Sequence, residues 1–129
     1  MFYDDDEETS MDDVMIKRFE DPDELRAFEH GTFALAELAG VQIGRAEYSP
    51  GWIWSEHVGA ADGMEFCEVE HVGLVVSGVC AVKMRDGAEH HLTPGDLFFV
   101  RPGHDSWVVG DEPYVSLHLL GAGTYAVHD

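Results

Sequence analysis

The chain has 129 residues and carries 26 Asp and Glu against 7 Lys and Arg, a formal net charge of −19 with histidine neutral. That length fits one domain with a core of its own, and a hydrophobic content of 45% is too high for a disordered chain. The charge repels nucleic-acid phosphates and anionic lipid headgroups, which excludes DNA, RNA and membrane surfaces as partners.

Residues 1–20 hold an acidic run without periodicity and read as a flexible N-terminal tail, leaving 21–129 as the folded domain. The first ten residues lack the basic and apolar regions of a signal peptide, and no apolar stretch reaches the ~20 residues of a membrane helix. Two cysteines, Cys67 and Cys80, make no disulfide framework, so the expected setting is the cytoplasm. Seven acids lie in residues 4–8 and 12–13, yet setting them aside still leaves a net charge of −12. Self-repulsion of that size is screened at high salt, which points to a halophilic protein.

In chain order, Asp21, Pro22, Asp23 and Glu24 read as a helix start, with Asp as N-cap and Pro at the first helical position. Gly31 keeps any such helix short. From Thr32 onward, short apolar runs are closed by turn residues: 33–38, 41–48, 69–77, 79–84, 97–100, 106–109 and 114–120. Asp86-Gly87 between two of them is a hairpin signal. Cys80, Val82 and Met84 share one face of their run, with Ala81, Lys83 and Arg85 on the other. Strands at this spacing predict an all-β sandwich or barrel.

Eight histidines invite a metal reading. His30, His90, His91 and His128 fall in turns, a polar hairpin return or the terminus, and read as solvated surface residues. His57, His71 and His104 each stand at or near the start of an apolar run from a separate part of the chain. On neighbouring strands, three inward imidazoles can meet at one point, and imidazole suits Zn, Cu, Fe and Ni.

At these residues the chain resembles the cupin superfamily. Gly51 to His57 reads G-W-I-W-S-E-H, the G(X)5H opening of the first cupin motif G(X)5HXH(X)3–4E(X)6G. His71 to Gly78 reads as its closing half, with histidine where the family has glutamate. Pro94-Gly95-Asp96 followed by Pro102-Gly103-His104 resembles the second motif. Gly59 stands where the second His of HXH is expected, and the segment between His57 and His71 is longer than the pattern. The resemblance covers roughly residues 33–126. It implies a single cupin barrel (a double-stranded β-helix, or jelly roll) and one divalent transition-metal ion per chain: Fe, Mn, Ni, Cu or Zn. The ligand set it implies is His57, His71 and His104, and an open position on three ligands is what a catalytic site keeps.

Cys67, four residues before His71, is either a fourth ligand or a small buried hydrophobe. Cys80 reads as core. His118 is a base or supporting partner if it points inward, or a dimer contact if outward. Glu56 reads as a supporting or surface carboxylate. Trp52, Trp54 and Trp107 read as packing, with an aromatic wall to the pocket as the sharper alternative. Arg101 reads as a surface ion pair, or else steers an anionic substrate. The expected function is a mononuclear metal-dependent enzyme, oxygenase-like or Lewis-acid, acting on a small organic molecule. The alternative is a non-catalytic binding or sensing module. The resemblance also implies a homodimer, joined through sheet edges or the N-terminal segment.

Overall fold

Nine strands in two antiparallel sheets form the framework of the computed structural model, which describes residues 13–127. The acidic run of residues 4–8 and His128 lie outside the described residues. The strands are β1 (Glu24–Phe28), β2 (Gly31–Leu38), β3 (Val41–Tyr48), β4 (His71–Ser77), β5 (Val79–Met84), β6 (Glu89–Leu92), β7 (Leu97–Val100), β8 (His104–Val109) and β9 (Tyr114–Leu120). One sheet has the order β1-β2-β3-β9-β4-β7 and the other β6-β5-β8. A one-turn helix, α1 (Trp54–His57), and a 3-10 turn (Gly59–Asp62) fill the link between β3 and β4.

The expected all-β architecture is present, with the turn residues doing the work assigned to them. Met84 and Ala88 close the Asp86-Gly87 hairpin through a backbone hydrogen bond of 2.8 Å. Gly78 carries the chain from the larger sheet to the smaller at φ +75°, and a Cβ there would meet the Pro113 carbonyl oxygen at 2.3 Å. At Gly73, in the middle of β4, a Cβ would lie 2.2 Å from the Leu117 carbonyl oxygen and 2.7 Å from Phe98. Only glycine lets β9 pass so closely there, and that approach brings His118 beside His71.

The helix expected from Asp21 onward is not formed. Residues 24–28 are strand β1, paired with β2 from Glu24↔Leu35 to Phe28↔Gly31. The Asp23 carboxylate accepts from the backbone N–H of Glu37 at 2.6 Å instead of capping a helix of its own. The Asp23 N–H donates to the Leu35 carbonyl at 2.9 Å. An open strand edge satisfied more backbone groups than a single helical turn before Gly31 would have, so tertiary pairing overrode the local cap signal.

Phe33, Trp52, Tyr48, Val75, Phe98, Tyr114 and Tyr125 are buried between the sheets. Tyr48 stacks on Trp52 with ring centroids 3.9 Å apart, and its hydroxyl is hydrogen-bonded to that of Tyr125 at 2.8 Å. Tyr125 belongs to the segment after β9. The Arg26 guanidinium pins that segment by donating to the carbonyls of Ala122, Gly123 and Tyr125. Among the described residues, no helix is long and apolar enough to cross a membrane.

Candidate metal centre

His71 opens β4 and His104 opens β8, and both side chains turn into the barrel, each 4% exposed. Cys67 reaches them by a route the sequence does not announce. It does not continue β4; it pairs with β8, donating its N–H to the His104 carbonyl at 2.7 Å and accepting from Gly103 N–H at 2.8 Å. Its Sγ then lies 3.7 Å from His71 Nε2. Cys67 Sγ and one nitrogen from each of His71 and His104 fall within 4.8 Å of one another.

Burial keeps this group uncharged. Burial, reinforced by the neighbouring imidazoles of His118 and His104, pulls His71 down to about 2. His104 is lowered chiefly by burial as well. Both rings are therefore neutral and offer lone pairs. The His104 Nδ1–H donates to the Arg101 carbonyl at 2.7 Å, which leaves the lone pair on Nε2 and fixes the ring. Burial pushes the Cys67 thiol up to about 11, so without a cation it stays protonated. A coordinated divalent ion would reverse that, because a coordinating thiol is deprotonated outright. His71 Nδ1 is buried and without a hydrogen-bond partner.

His57 is not brought to this group. It ends α1 rather than starting a strand, and its companions are Glu29 and His30 at the surface. The rings of His30 and His57 are 4.8 Å apart. The Ile53 N–H donates to His57 Nδ1 at 2.9 Å. In the neutral ring this puts the proton on Nε2, which lies 3.9 Å from a Glu29 oxygen. A nitrogen carrying a proton has no lone pair for a metal.

His118, left open by the sequence, points inward. It is 7% exposed, its ring centroid is 5.2 Å from that of His71, and its Nε2 is 2.9 Å from Ser116 Oγ. Its Nδ1 has no partner, and burial lowers the ring to about 4. The signal for it was available: Ser116 and His118 are two apart on an apolar run, so both face one side.

His71, His104, His118, Trp52, Tyr48 and Tyr125 share a cavity of about 40 Å³. Cys80 also lines it, and burial pushes that thiol up to about 12. Trp54 is buried and Trp107 only partly so, and the exposed Arg101 pairs with Asp86 at 3.5 Å. Glu56 is exposed on α1.

The EutQ-like cupin domain family matches residues 44–115, more than half of the chain. The chain belongs to the cupin superfamily. Solved structures agree on the fold of this cupin. A protein of unknown function from Rhizobium leguminosarum bv. viciae 3841 superposes with a TM-score of 0.58 at 17% identity, covering 83% of this chain and 95% of the other. The polyketide cyclase RemF from Streptomyces resistomycificus gives a TM-score of 0.58 at 18% identity over 84% of this chain and 80% of its own. A double-stranded β-helix protein from Klebsiella pneumoniae subsp. pneumoniae MGH 78578 gives 0.51 at 17%, over 74% and 80%. At such identities the likeness concerns the fold alone. None of the curated proteins matches the sequence.

Proposed function

We propose that this cupin holds one divalent transition-metal ion on Cys67, His71 and His104 and is a metal-dependent enzyme acting on a small molecule. The observation that carries the proposal is the meeting of a buried thiol and two neutral imidazoles, from residues 67–71 and the start of β8, within 4.8 Å. One thiolate and two imidazoles make a three-ligand set with a position left open, the pattern of catalytic rather than structural sites. A divalent ion bound there would supply Lewis-acid polarisation of whatever occupies that position.

The chain's own groups have distinct tasks in this reading. Cys67 supplies the negative charge that an all-histidine set would lack. The Arg101 carbonyl holds the His104 ring in the ligating tautomer. His118, buried, uncharged and with a free Nδ1, is placed to hold a proton beside the site. Tyr125 packs edge-on against the His71 ring, centroids 5.2 Å apart, and is itself held by the Tyr48 hydroxyl. A cavity of about 40 Å³ holds one or two water-sized ligands.

That narrow interior favours, as a second reading, a non-catalytic module binding a small ligand. Both cysteines are free and buried, which suits a reducing cytoplasm. The test is metal content by elemental mass spectrometry on untagged protein expressed with each first-row metal in turn. The proposal expects close to one equivalent of one metal per chain; less than about a tenth of an equivalent with every metal contradicts it, because a preorganised site of this donor set retains such ions.

A further inference from the structure

Strands β6 and β7 follow one another in the chain yet belong to different sheets, and each is the last strand of its own. The turn between them is held by Asp96, whose carboxylate accepts from the Thr93 backbone N–H at 2.8 Å and from its hydroxyl at 3.0 Å. Among the described residues, no ladder joins the two strands. Across β5 and β6, Val82 stands opposite His90 and Cys80 opposite Leu92; across β4 and β7, His71 is opposite Val100 and Gly73 opposite Phe98. Residues directly opposite share a face, so His90, Leu92, Phe98 and Val100 are all on the inner side. His90 is exposed all the same, because it stands at this unpaired seam. The seam opens into a cleft of about 450 Å³, within the ~300–1,000 Å³ of small-molecule pockets. Val82, Met84, Leu92, Phe98 and Val100 form its floor, and the exposed Leu97 and Phe99 extend one wall. Four of the floor residues, Val82, Leu92, Phe98 and Val100, also line the interior cavity with His71 and His118, so they divide the cleft from it.

We infer that this cleft binds a small apolar monocarboxylate, its hydrocarbon body on the floor and its carboxylate on Arg101 and His90 at the mouth. Charge selects that occupant. The chain has 26 Asp and Glu, yet no carboxylate lines the cleft; the polar side chains there are His90, His91 and Arg101. A guanidinium presents paired N–H donors that match the two oxygens of a carboxylate. The present partner of Arg101 is Asp86 at 3.5 Å, with both side chains 63% exposed. Water weakens such a contact, so a ligand carboxylate can take the place of Asp86. Glu89 engages His91 at 3.1 Å, whereas His90 has no ion-pair partner among the described residues and is left to donate to the ligand. A cationic ligand is drawn to the acidic surface at large and meets no acid within the cleft. The site requires no metal, so it goes beyond the metal centre and is tested apart from it.

The test is isothermal titration calorimetry of octanoate, 1-octanol and octyltrimethylammonium into the full chain, both as purified and after chelator treatment. One octanoate is expected to bind per chain, at least about 10-fold tighter than octyltrimethylammonium, the reverse of the order that net charge alone dictates. H90E/R101E, at two exposed positions, weakens octanoate at least about 10-fold and leaves 1-octanol within about 3-fold, because it removes the charge-assisted contact alone. L97Q/F99Q, also at exposed positions, weakens both ligands by removing apolar wall. R45E, a charge reversal away on β3, binds octanoate like the parent. Circular dichroism of every variant stays as in the parent. Absence of saturable octanoate binding overturns the inference, and so does octyltrimethylammonium binding as tightly as octanoate. An H90E/R101E variant that keeps the parent affinity for octanoate overturns it too. Octanoate binding lost on chelation would place the carboxylate on the metal instead and equally overturn it.

Discussion

Replacing His71 by alanine abolishes tight metal binding, and replacing His57 by alanine leaves it within a few-fold of the parent. The two histidines belong to the same motif resemblance, so the contrast falls on their environments. His71 offers a neutral ring 3.7 Å from the Cys67 sulfur. His57 accepts a backbone N–H on Nδ1 and turns a protonated Nε2 toward Glu29. Loss of a partner that merely orients a ligand costs ~10–100-fold in affinity, and loss of the ligand itself exceeds that. Competition of each variant against a chromogenic zinc chelator measures the difference. Equal losses in the two variants would return His57 to the ligand set.

The metal-free protein loses stability steeply as the pH falls through 6.5. His71 and His118 titrate near 6.5 when unfolded, whereas burial holds them neutral in the fold down to about 2 and about 4. Below 6.5 the unfolded chain therefore binds protons that the native chain refuses, and stability declines with pH. Each histidine contributes ~1.4 kcal/mol per pH unit, so the pair gives on the order of 2–3 kcal/mol per unit between pH 6.5 and 5. Most carboxylates stay ionised in that window. Urea midpoints of chelator-treated protein at pH 7.5, 6.5 and 5.5 read this directly, and H118N flattens the slope by about half. A midpoint that is level across the window would mean the imidazoles are solvated.

Much of the barrel was legible because its signals are local. Pro94-Gly95-Asp96 and Asp86-Gly87 mark turns whose geometry few other residues adopt, and the apolar runs between turns are the strands. His71 and His104 were legible for the same reason, since alternation along a strand tells which way each first residue points. The remainder depends on contacts distant in sequence. Asp23 caps nothing of its own because Glu37 of the neighbouring strand takes its carboxylate. Cys67 faces His71 not by continuing the same strand but by pairing with β8. His57 sits where its motif puts it, yet a one-turn helix redirects its ring, and no periodicity encodes a turn of four residues.

A thiolate ligand distinguishes this metal set from one built on imidazoles alone. Cobalt(II) loaded into the protein reports it, because thiolate ligation gives an intense near-ultraviolet charge-transfer band that imidazole and water ligands do not. That band is expected in the parent and in H57A, and its loss in C67S with weak d–d absorption retained through His71 and His104. A parent protein that binds one cobalt without the band, or a C67S variant that keeps it, would contradict a centre built on Cys67, His71 and His104.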